Sequence, residues 1–183
     1  MDFESIINLV KNMLPSSIVT LEIFFLTIIF SSILGMFVAF GRMSKFAIIR
    51  IPIQVFLLIM RGTPLILQLM FFYFAPYYIF GTTLPRFWAA ILAFTLNYSA
   101  YIAEIYRSGI ESIPVGQYEA ATVLGFGKSE TFFKIILPQV VKRIIPPMSN
   151  ELMTLVKDTA LAQVIGVAEI FKLAGATMSS QFS

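Results

Sequence analysis

Polar side chains recur at helical spacing inside an otherwise apolar part of the chain. Asn97, Tyr101, Glu104 and Ser108 follow one another at intervals that place them on one face of an α-helix. An amide, a phenol and a carboxylate in a row could bind a polar solute, with Glu104 pairing with a cationic group. In the alternative interpretation, Glu104 pairs with Arg107 one turn further on and only anchors the helix.

Three further residues could contact a solute from neighbouring segments. Arg61 and Gln68 flank Pro64, and Glu151 lies inside a later apolar run. Arg61 could bind a carboxylate, Gln68 a polar backbone group and Glu151 a cation, since ionisable groups at membrane depth are functional candidates by default. Alternatively, Arg61 neutralises Glu104 or Glu151 across a helical bundle.

The sequence excludes several kinds of enzymatic chemistry. It contains no His and no Cys, so it offers no thiolate nucleophile, no usual zinc ligand set and no Ser-His-Asp triad. Gly127-Lys128-Ser129 resembles the end of a phosphate-binding loop, but that loop requires Gly where this chain has Thr122, and no strand precedes it. We therefore expect neither catalysis nor a nucleotide or metal site on this chain.

Composition indicates the elements that must position these residues. Of 183 residues, 58% are hydrophobic and 13% are charged, against about 25% charged in soluble domains. At about 20 residues per helical crossing, this length allows five or six membrane spans. The sequence predicts one all-α membrane domain over residues 1–183.

Four apolar segments are long enough to be spans. The second would bend at Pro64, since proline interrupts helical hydrogen bonding. A less hydrophobic tail follows, in which Val167 to Ala174 could form a short helix. The predicted spans are residues 17–41, 46–77, 87–108 and 144–162.

The positions of basic residues predict the topology. Eight of the 13 Lys and Arg residues lie in the loop after the first span or in the segment around residues 109–143. Because Lys and Arg near span ends concentrate on the cytoplasmic side, both segments are expected inside and the N-terminus outside. The eight residues are Arg42, Lys45, Arg50, Arg107, Lys128, Lys134, Lys142 and Arg143.

The segment at 109–143 predicts a helix-turn-helix at the membrane surface. Residues 117–124 are good helix formers, and Gly125-Phe126-Gly127 can form a tight turn. A second short helix from Lys128 to Leu137 is expected to stop at Pro138. Its apolar residues could anchor it to a groove or to the spans.

This segment resembles a known motif. "EAATVLGFGKSETFFKIILPQ" is similar to the EAA loop of ATP-binding cassette importer permeases, and "RGTPLILQLMFFYF" and "AYIAEIYRSGIESIPVGQYEAA" are similar to their polar amino-acid uptake branch. The resemblance runs from about residue 21 to residue 173. The residues that match the motif, or lie in its turn, are Glu119, Ala120, Ala121, Gly125, Phe126, Leu137 and Pro138.

The resemblance implies a type I importer permease bundle in the cytoplasmic membrane. Its EAA loop would hold the coupling helix, which docks into a cleft of a separate ATPase subunit. Two ATPase subunits would bind ATP and Mg. A second permease subunit, expected to be an identical copy, would complete the pathway. An extracytoplasmic binding protein would deliver the substrate. Family members usually have a fifth crossing, expected here beyond Ser183. No nucleic-acid partner is expected.

The candidate polar residues suit an amino-acid substrate. A zwitterion needs an acceptor for its ammonium and a donor for its carboxylate, and Asn97, Tyr101, Glu104, Arg61, Gln68 and Glu151 supply both. A third acidic contact would favour a basic side chain. Two other functions stay open at this point: an ion-coupled secondary transporter, which would use acids such as Glu104 and usually show an inverted repeat, and a membrane scaffold without a pathway.

Overall fold

The structure, a computed structural model, describes the backbone of residues 3–166 and the side chains of residues 17–162 and 164–166. This part of the chain is helical and contains no strand, which confirms the predicted all-α fold. The short helix predicted at residues 167–174 lies outside the described residues. The helices are α1 (Phe3–Arg42), α2 (Ala47–Gly62), α3 (Leu65–Phe80), α4 (Arg86–Glu111), α5 (Val115–Val123), α6 (Lys128–Glu130), a π-helical segment (Thr131–Ile136), α7 (Leu137–Asp158) and a 3₁₀ segment (Thr159–Ile165).

Helix α4 is the centre of the bundle and packs most extensively against α1. The contact face of α1 carries a buried residue at every fourth position, as the helical period requires. Small side chains on that face let the two backbones approach closely. A Cβ added at Gly35 would lie 3.0 Å from the Ile102 side chain and 3.2 Å from the Ser99 carbonyl oxygen. The buried α1 positions at this spacing are Ile23, Thr27, Ser31, Gly35 and Ala39.

The second predicted span is two helices rather than one bent helix. Helix α2 ends at Gly62, α3 begins at Leu65, and their axes differ by 110°. Pro64 stands immediately before the first turn of α3, where a missing N–H is tolerated. The prediction of a kinked continuous helix from 46 to 77 is therefore wrong, because Thr63 and Pro64 are both extended and end the helix completely.

The prediction that Pro138 stops a helix is also wrong. Pro138 lies in the first turn of α7, directly after the π-helical segment, and the helix continues past it although proline has no N–H to donate. The helical path continues from Lys128 through the π-helical segment to Asp158, so the predicted fourth span, 144–162, begins inside a longer helix.

Within the described residues, only α1 is long and apolar enough by itself to cross a bilayer, from Ser17 to Arg42 with a mean hydropathy of 2.5. Helices α2 and α3 reach that criterion only as a bent pair. Helix α4 is long enough but less apolar, because it carries buried polar residues such as Asn97 and Ser99 toward the other helices. Its surroundings are mostly protein.

Candidate functional site

The break between α2 and α3 is closed by two amide side chains. Gln68 Nε2 donates to the carbonyl oxygens of Met60 (3.0 Å) and Thr63 (3.2 Å) and to Thr63 Oγ1 (2.8 Å). Asn97 Nδ2 donates to the same Met60 carbonyl (3.0 Å) and to Gln68 Oε1 (3.1 Å). Backbone carbonyls released where a helix breaks at membrane depth need such partners. Gln68 is therefore buried in the scaffold, with its amide already engaged.

Beside this break lies a polar cavity of about 440 Å³, called here the central cavity. It brings together four of the six residues predicted to contact a solute: Arg61, Asn97, Tyr101 and Glu151. Gln68 and Glu104 are not part of its wall. The complete lining is Arg61, Gly62, Thr63, Pro64, Leu65, Asn97, Tyr98, Tyr101, Glu151, Thr154 and Asp158.

The charged side chains of the central cavity differ in the partners that they already have. The Arg61 guanidinium lies 5.3 Å from the centre of the Tyr101 ring, a cation–π arrangement. Asp158 accepts a hydrogen bond from the Tyr98 hydroxyl at 2.7 Å. Glu151 is half-buried and has neither a hydrogen bond nor an ion pair with the described residues. It is thus the carboxylate available to a cation.

Sequence reasoning missed Tyr98 and Asp158. The partner of Asp158 lies on another helix, 60 positions earlier. The signal was present in the helical period: Glu151, Thr154 and Asp158 are three and four residues apart, which puts them on one face of α7.

Glu104 belongs to a separate charge cluster. Arg107 donates to Glu104 Oε2 from Nε at 3.1 Å and from Nη2 at 2.7 Å, the pairing given above as the alternative interpretation. Arg42 and Arg61 approach the same carboxylate at 3.9 and 4.0 Å. Arg107 also pairs with Glu111.

A second cavity of about 370 Å³ opens beside this cluster, and we call it the arginine cavity. Arg61 and Gly62 line both cavities, so the two are neighbours on either side of one residue pair. Along α4, Tyr101 faces the central cavity and Glu104, one turn later, faces the arginine cavity. The lining of the arginine cavity is Arg42, Gln54, Leu57, Leu58, Arg61, Gly62 and Glu104.

The predicted turn at residues 125–127 ends α5 in a Schellman motif. Gly125 has φ +80°, a left-handed conformation, and its N–H donates to Thr122 O at 3.0 Å. Phe126 N–H donates to Ala121 O, also at 3.0 Å. These are the two hydrogen bonds that define the motif. An added Cβ at Gly125 meets no atom within 4 Å, so backbone conformation alone requires glycine there.

The chain after this turn begins α6 with a side-chain cap from Glu130. Glu130 accepts a hydrogen bond from the Gly127 backbone at 3.4 Å and from Lys134 Nζ at 2.8 Å. The Lys134 ammonium, followed by the Gly127 N–H, lowers the pKa of the Glu130 carboxyl. The π-helical segment follows directly, and such segments are often found at functional positions.

One face of α5 packs on this second helix and the other is exposed. Ala121 is buried, and Tyr118 packs on a cluster of Ile113, Ile136 and Val140. Glu119 and Ala120 are exposed, and so are the apolar side chains of Val115, Val123 and Leu124, at 70%, 87% and 73%. Phe126 and Leu137 are half-buried, whereas Pro138 is exposed. We call residues 115–136 the surface hairpin; its free side is the exposed face of α5.

The described residues thus form an all-α bundle with a polar cavity beside a broken helix and a surface hairpin that exposes apolar side chains. The family model of the "Binding-protein-dependent transport system inner membrane component" matches residues 31–182, and the chain belongs to this family.

Curated relatives are permease proteins of amino-acid transport systems. The L-cystine transport system permease protein TcyB of Bacillus subtilis (strain 168) is 44% identical over 156 residues, which cover 85% of this chain and 66% of TcyB. The arginine transport system permease protein ArtQ of the same organism is 37% identical over 174 residues, which cover 95% of this chain and 80% of ArtQ. The chain thus spans about two thirds of TcyB.

Solved structures agree with the fold. A crystal structure described as an amino acid ABC transporter with histidines matches with a TM-score of 0.88 and 33% identity, covering 100% of this chain and 85% of that chain. The MetNI methionine ABC transporter in an inward-facing conformation matches with a TM-score of 0.65 at 22% identity, over 92% of this chain and 79% of the other. The second match supports the type I importer permease fold alone.

Proposed function

We propose that this chain is the transmembrane subunit of an ATP-driven importer of polar amino acids. The observation that carries the proposal is the central cavity. It offers a guanidinium at Arg61 for a carboxylate and a carboxylate at Glu151 for an ammonium. Relatives that transport L-cystine and arginine by name support an amino-acid substrate.

The cavity also suits a basic amino acid. Asp158 is a second acid in the same wall, held by Tyr98 through one oxygen, so Glu151 and Asp158 together outnumber the one cation, Arg61. A substrate carrying two positive groups and one carboxylate would balance these charges. Asn97, whose two amide donors are both engaged, offers its Oδ1 as an acceptor.

The same proposal includes a topology of several spans in the cytoplasmic membrane. The N-terminus would lie outside, and α1, the α2–α3 pair, α4 and α7 would cross or enter the bilayer. Membrane lipid would cover the exposed apolar side chains of α1, such as Phe25 and Phe37. The surface hairpin, with Lys128 and Lys134, would then lie on the cytoplasmic side.

In this arrangement the surface hairpin couples the bundle to a separate ATPase. The exposed face of α5, with Glu119 and Ala120 flanked by Val123 and Leu124, is the surface offered to a cleft in that partner. Ala121, Gly125 and Phe126 hold the end of this face through the hydrogen bonds of the turn, and Leu137 and Pro138 begin the helix that follows the hairpin. Two ATPase subunits would supply ATP and Mg, a second permease copy would form the other half of the pathway, and an extracytoplasmic binding protein would deliver the substrate.

The test is uptake by the reconstituted complex. Permease, ATPase and binding protein are assembled in proteoliposomes, and uptake of L-arginine, L-glutamine and L-cystine is measured with and without ATP. We expect ATP-dependent uptake that persists when ionophores collapse the proton and sodium gradients. Uptake driven by either gradient without ATP would instead indicate a secondary transporter. A complex that assembles and transports none of the amino acids would indicate a scaffold.

A further inference from the structure

Glu104 is surrounded by more guanidinium groups than its carboxylate binds. Of three guanidiniums around it, only that of Arg107 is within hydrogen-bonding distance. Arg42 and Arg61 stop at 3.9 and 4.0 Å, beyond the range of a hydrogen bond. Since Arg107 also pairs with Glu111, three guanidiniums meet two carboxylates and one positive charge remains in excess.

The two distant arginines keep their donors free. Among the described residues, no hydrogen-bond acceptor meets the side chain of Arg42 or of Arg61, and a guanidinium carries five N–H donors. Their side chains are 30% and 45% exposed, and both line the arginine cavity. Arg42 approaches one oxygen of Glu104 and Arg61 the other, so both guanidiniums point toward one place.

From this geometry we infer that the arginine cavity is a second binding station, which takes the carboxylate of the transported amino acid. Arg42 and Arg61 bind the carboxylate, and the side-chain amide of Gln54 supplies further donors. Glu104 keeps the station only weakly positive, which allows release. The inference rests on the proposed transport function and adds a site to it.

Arg61 connects this station to the central cavity. Its guanidinium lies over the Tyr101 ring on one side and 4.0 Å from Glu104 on the other. A carboxylate bound to Arg61 in the central cavity could move past Gly62 and gain Arg42 without leaving Arg61. The carboxylate in the wall of the arginine cavity, Glu104, is already bound by Arg107, so the substrate's ammonium would leave Glu151 without gaining an unpaired acid.

The test uses the absence of cysteine from this chain. Gln54→Cys reports on the arginine cavity, with Leu58→Cys as a second reporter there, and Thr154→Cys reports on the central cavity. The assembled permease–ATPase complex, without nucleotide, is labelled with a maleimide, and modification of this chain is followed by mass spectrometry. Three probes are compared. The first is the amino acid that the complex takes up, whether L-arginine, L-glutamine or L-cystine; the second is the α-carboxamide of that amino acid, and the third is sodium formate.

The amino acid should slow labelling at Gln54→Cys, whereas the carboxamide and formate at equal concentration should not. Arg42→Gln should weaken the protection by about tenfold, the loss expected for one charge-assisted interaction. Arg50→Gln is the matched control: it removes an exposed guanidinium that lines neither cavity, and protection should persist.

Three results would overturn the inference: protection by the carboxamide, equal protection by formate, or protection that survives Arg42→Gln. If the Gln54→Cys complex fails to assemble, labelling of Leu58→Cys is measured in its place. Protection at Thr154→Cys with none at Gln54→Cys or Leu58→Cys would refute the second station and leave the proposed transport function intact. Absence of uptake in the proteoliposome assay would refute the transport function itself.

Discussion

Replacing Gly125 tests whether the turn of the surface hairpin is needed for coupling. Its φ of +80° is strained for a side chain with a branched Cβ, while the space around it is empty to 4 Å. Gly125→Val should therefore destabilise the turn by about 1–2 kcal/mol through backbone conformation alone. Gly125→Asn has a side chain of similar size but tolerates the left-handed region, so it should have a smaller effect.

A destabilisation of about 1.4 kcal/mol shifts the ratio of formed to opened turn by about tenfold. The Schellman hydrogen bonds from Gly125 and Phe126 close the last turn of α5 and set the direction in which the chain leaves it, so an opened turn changes the position of the exposed face of α5 relative to the second helix. We expect Gly125→Val to lower the amino acid transported per ATP hydrolysed several-fold, with ATP hydrolysis itself retained.

The assay is parallel measurement of uptake and phosphate release in proteoliposomes. Gly127→Val is the matched control, because Gly127 has φ −69° and an added Cβ would meet only the Glu130 carboxylate, at 3.9 Å. It should transport nearly as well as the parent protein. The reasoning fails if Gly125→Val keeps normal transport per ATP, or if Gly127→Val is equally impaired.

Three further substitutions examine the cavities and their support. Glu151→Gln should reduce uptake of cationic amino acids by roughly tenfold, through loss of a charge-assisted bond. The control is Glu22→Gln, which changes an exposed acid outside both cavities and should leave uptake unchanged. Equal uptake by the two variants would contradict the assignment of Glu151 to the substrate's ammonium. Gln68→Leu removes four hydrogen bonds at the helix break, three donated by Nε2 and one accepted by Oε1, and should destabilise the complex by about 1–3 kcal/mol. The loss would be seen as a lower Tm in detergent, and an unchanged Tm would show that the break needs no cap. Glu104→Gln should slow the uptake of cationic and neutral amino acids alike, since Glu104 acts on the station that binds the carboxylate common to both. A selective loss of cationic uptake in the same assay would show instead that Glu104 contacts the substrate's side chain.

The helical fold and much of the central cavity could be predicted from the sequence because both depend on local periodicity. The spacing of Asn97 and Tyr101 placed them on one face of a helix, and both line the cavity. Extending that face to Glu104 was less successful, because one further turn brings the side chain into a different cavity.

The remaining features depend on tertiary contacts. The hydrogen bond from Tyr98 to Asp158 joins two helices that are distant in sequence, and Arg42 reaches Glu104 only because α1 packs along α4. Gln68 looked like a solute contact from its position beside Pro64, but the break itself takes up its amide. Pro138 was taken as a stop, but the π-helical segment before it and α7 after it form one helical path that continues through the proline.

The π-helical segment between α6 and α7 sets the angular phase between the two ends of one continuous helix. Near one end lies the surface hairpin, and near the other lie Glu151, Thr154 and Asp158 in the wall of the central cavity. A π-turn corresponds to one residue more than an α-helical turn, and one residue rotates everything beyond it by about 100°. A rotation of the hairpin about the axis of this helix would therefore also rotate the cavity wall, and the extra residue sets which face of α7 lines the central cavity.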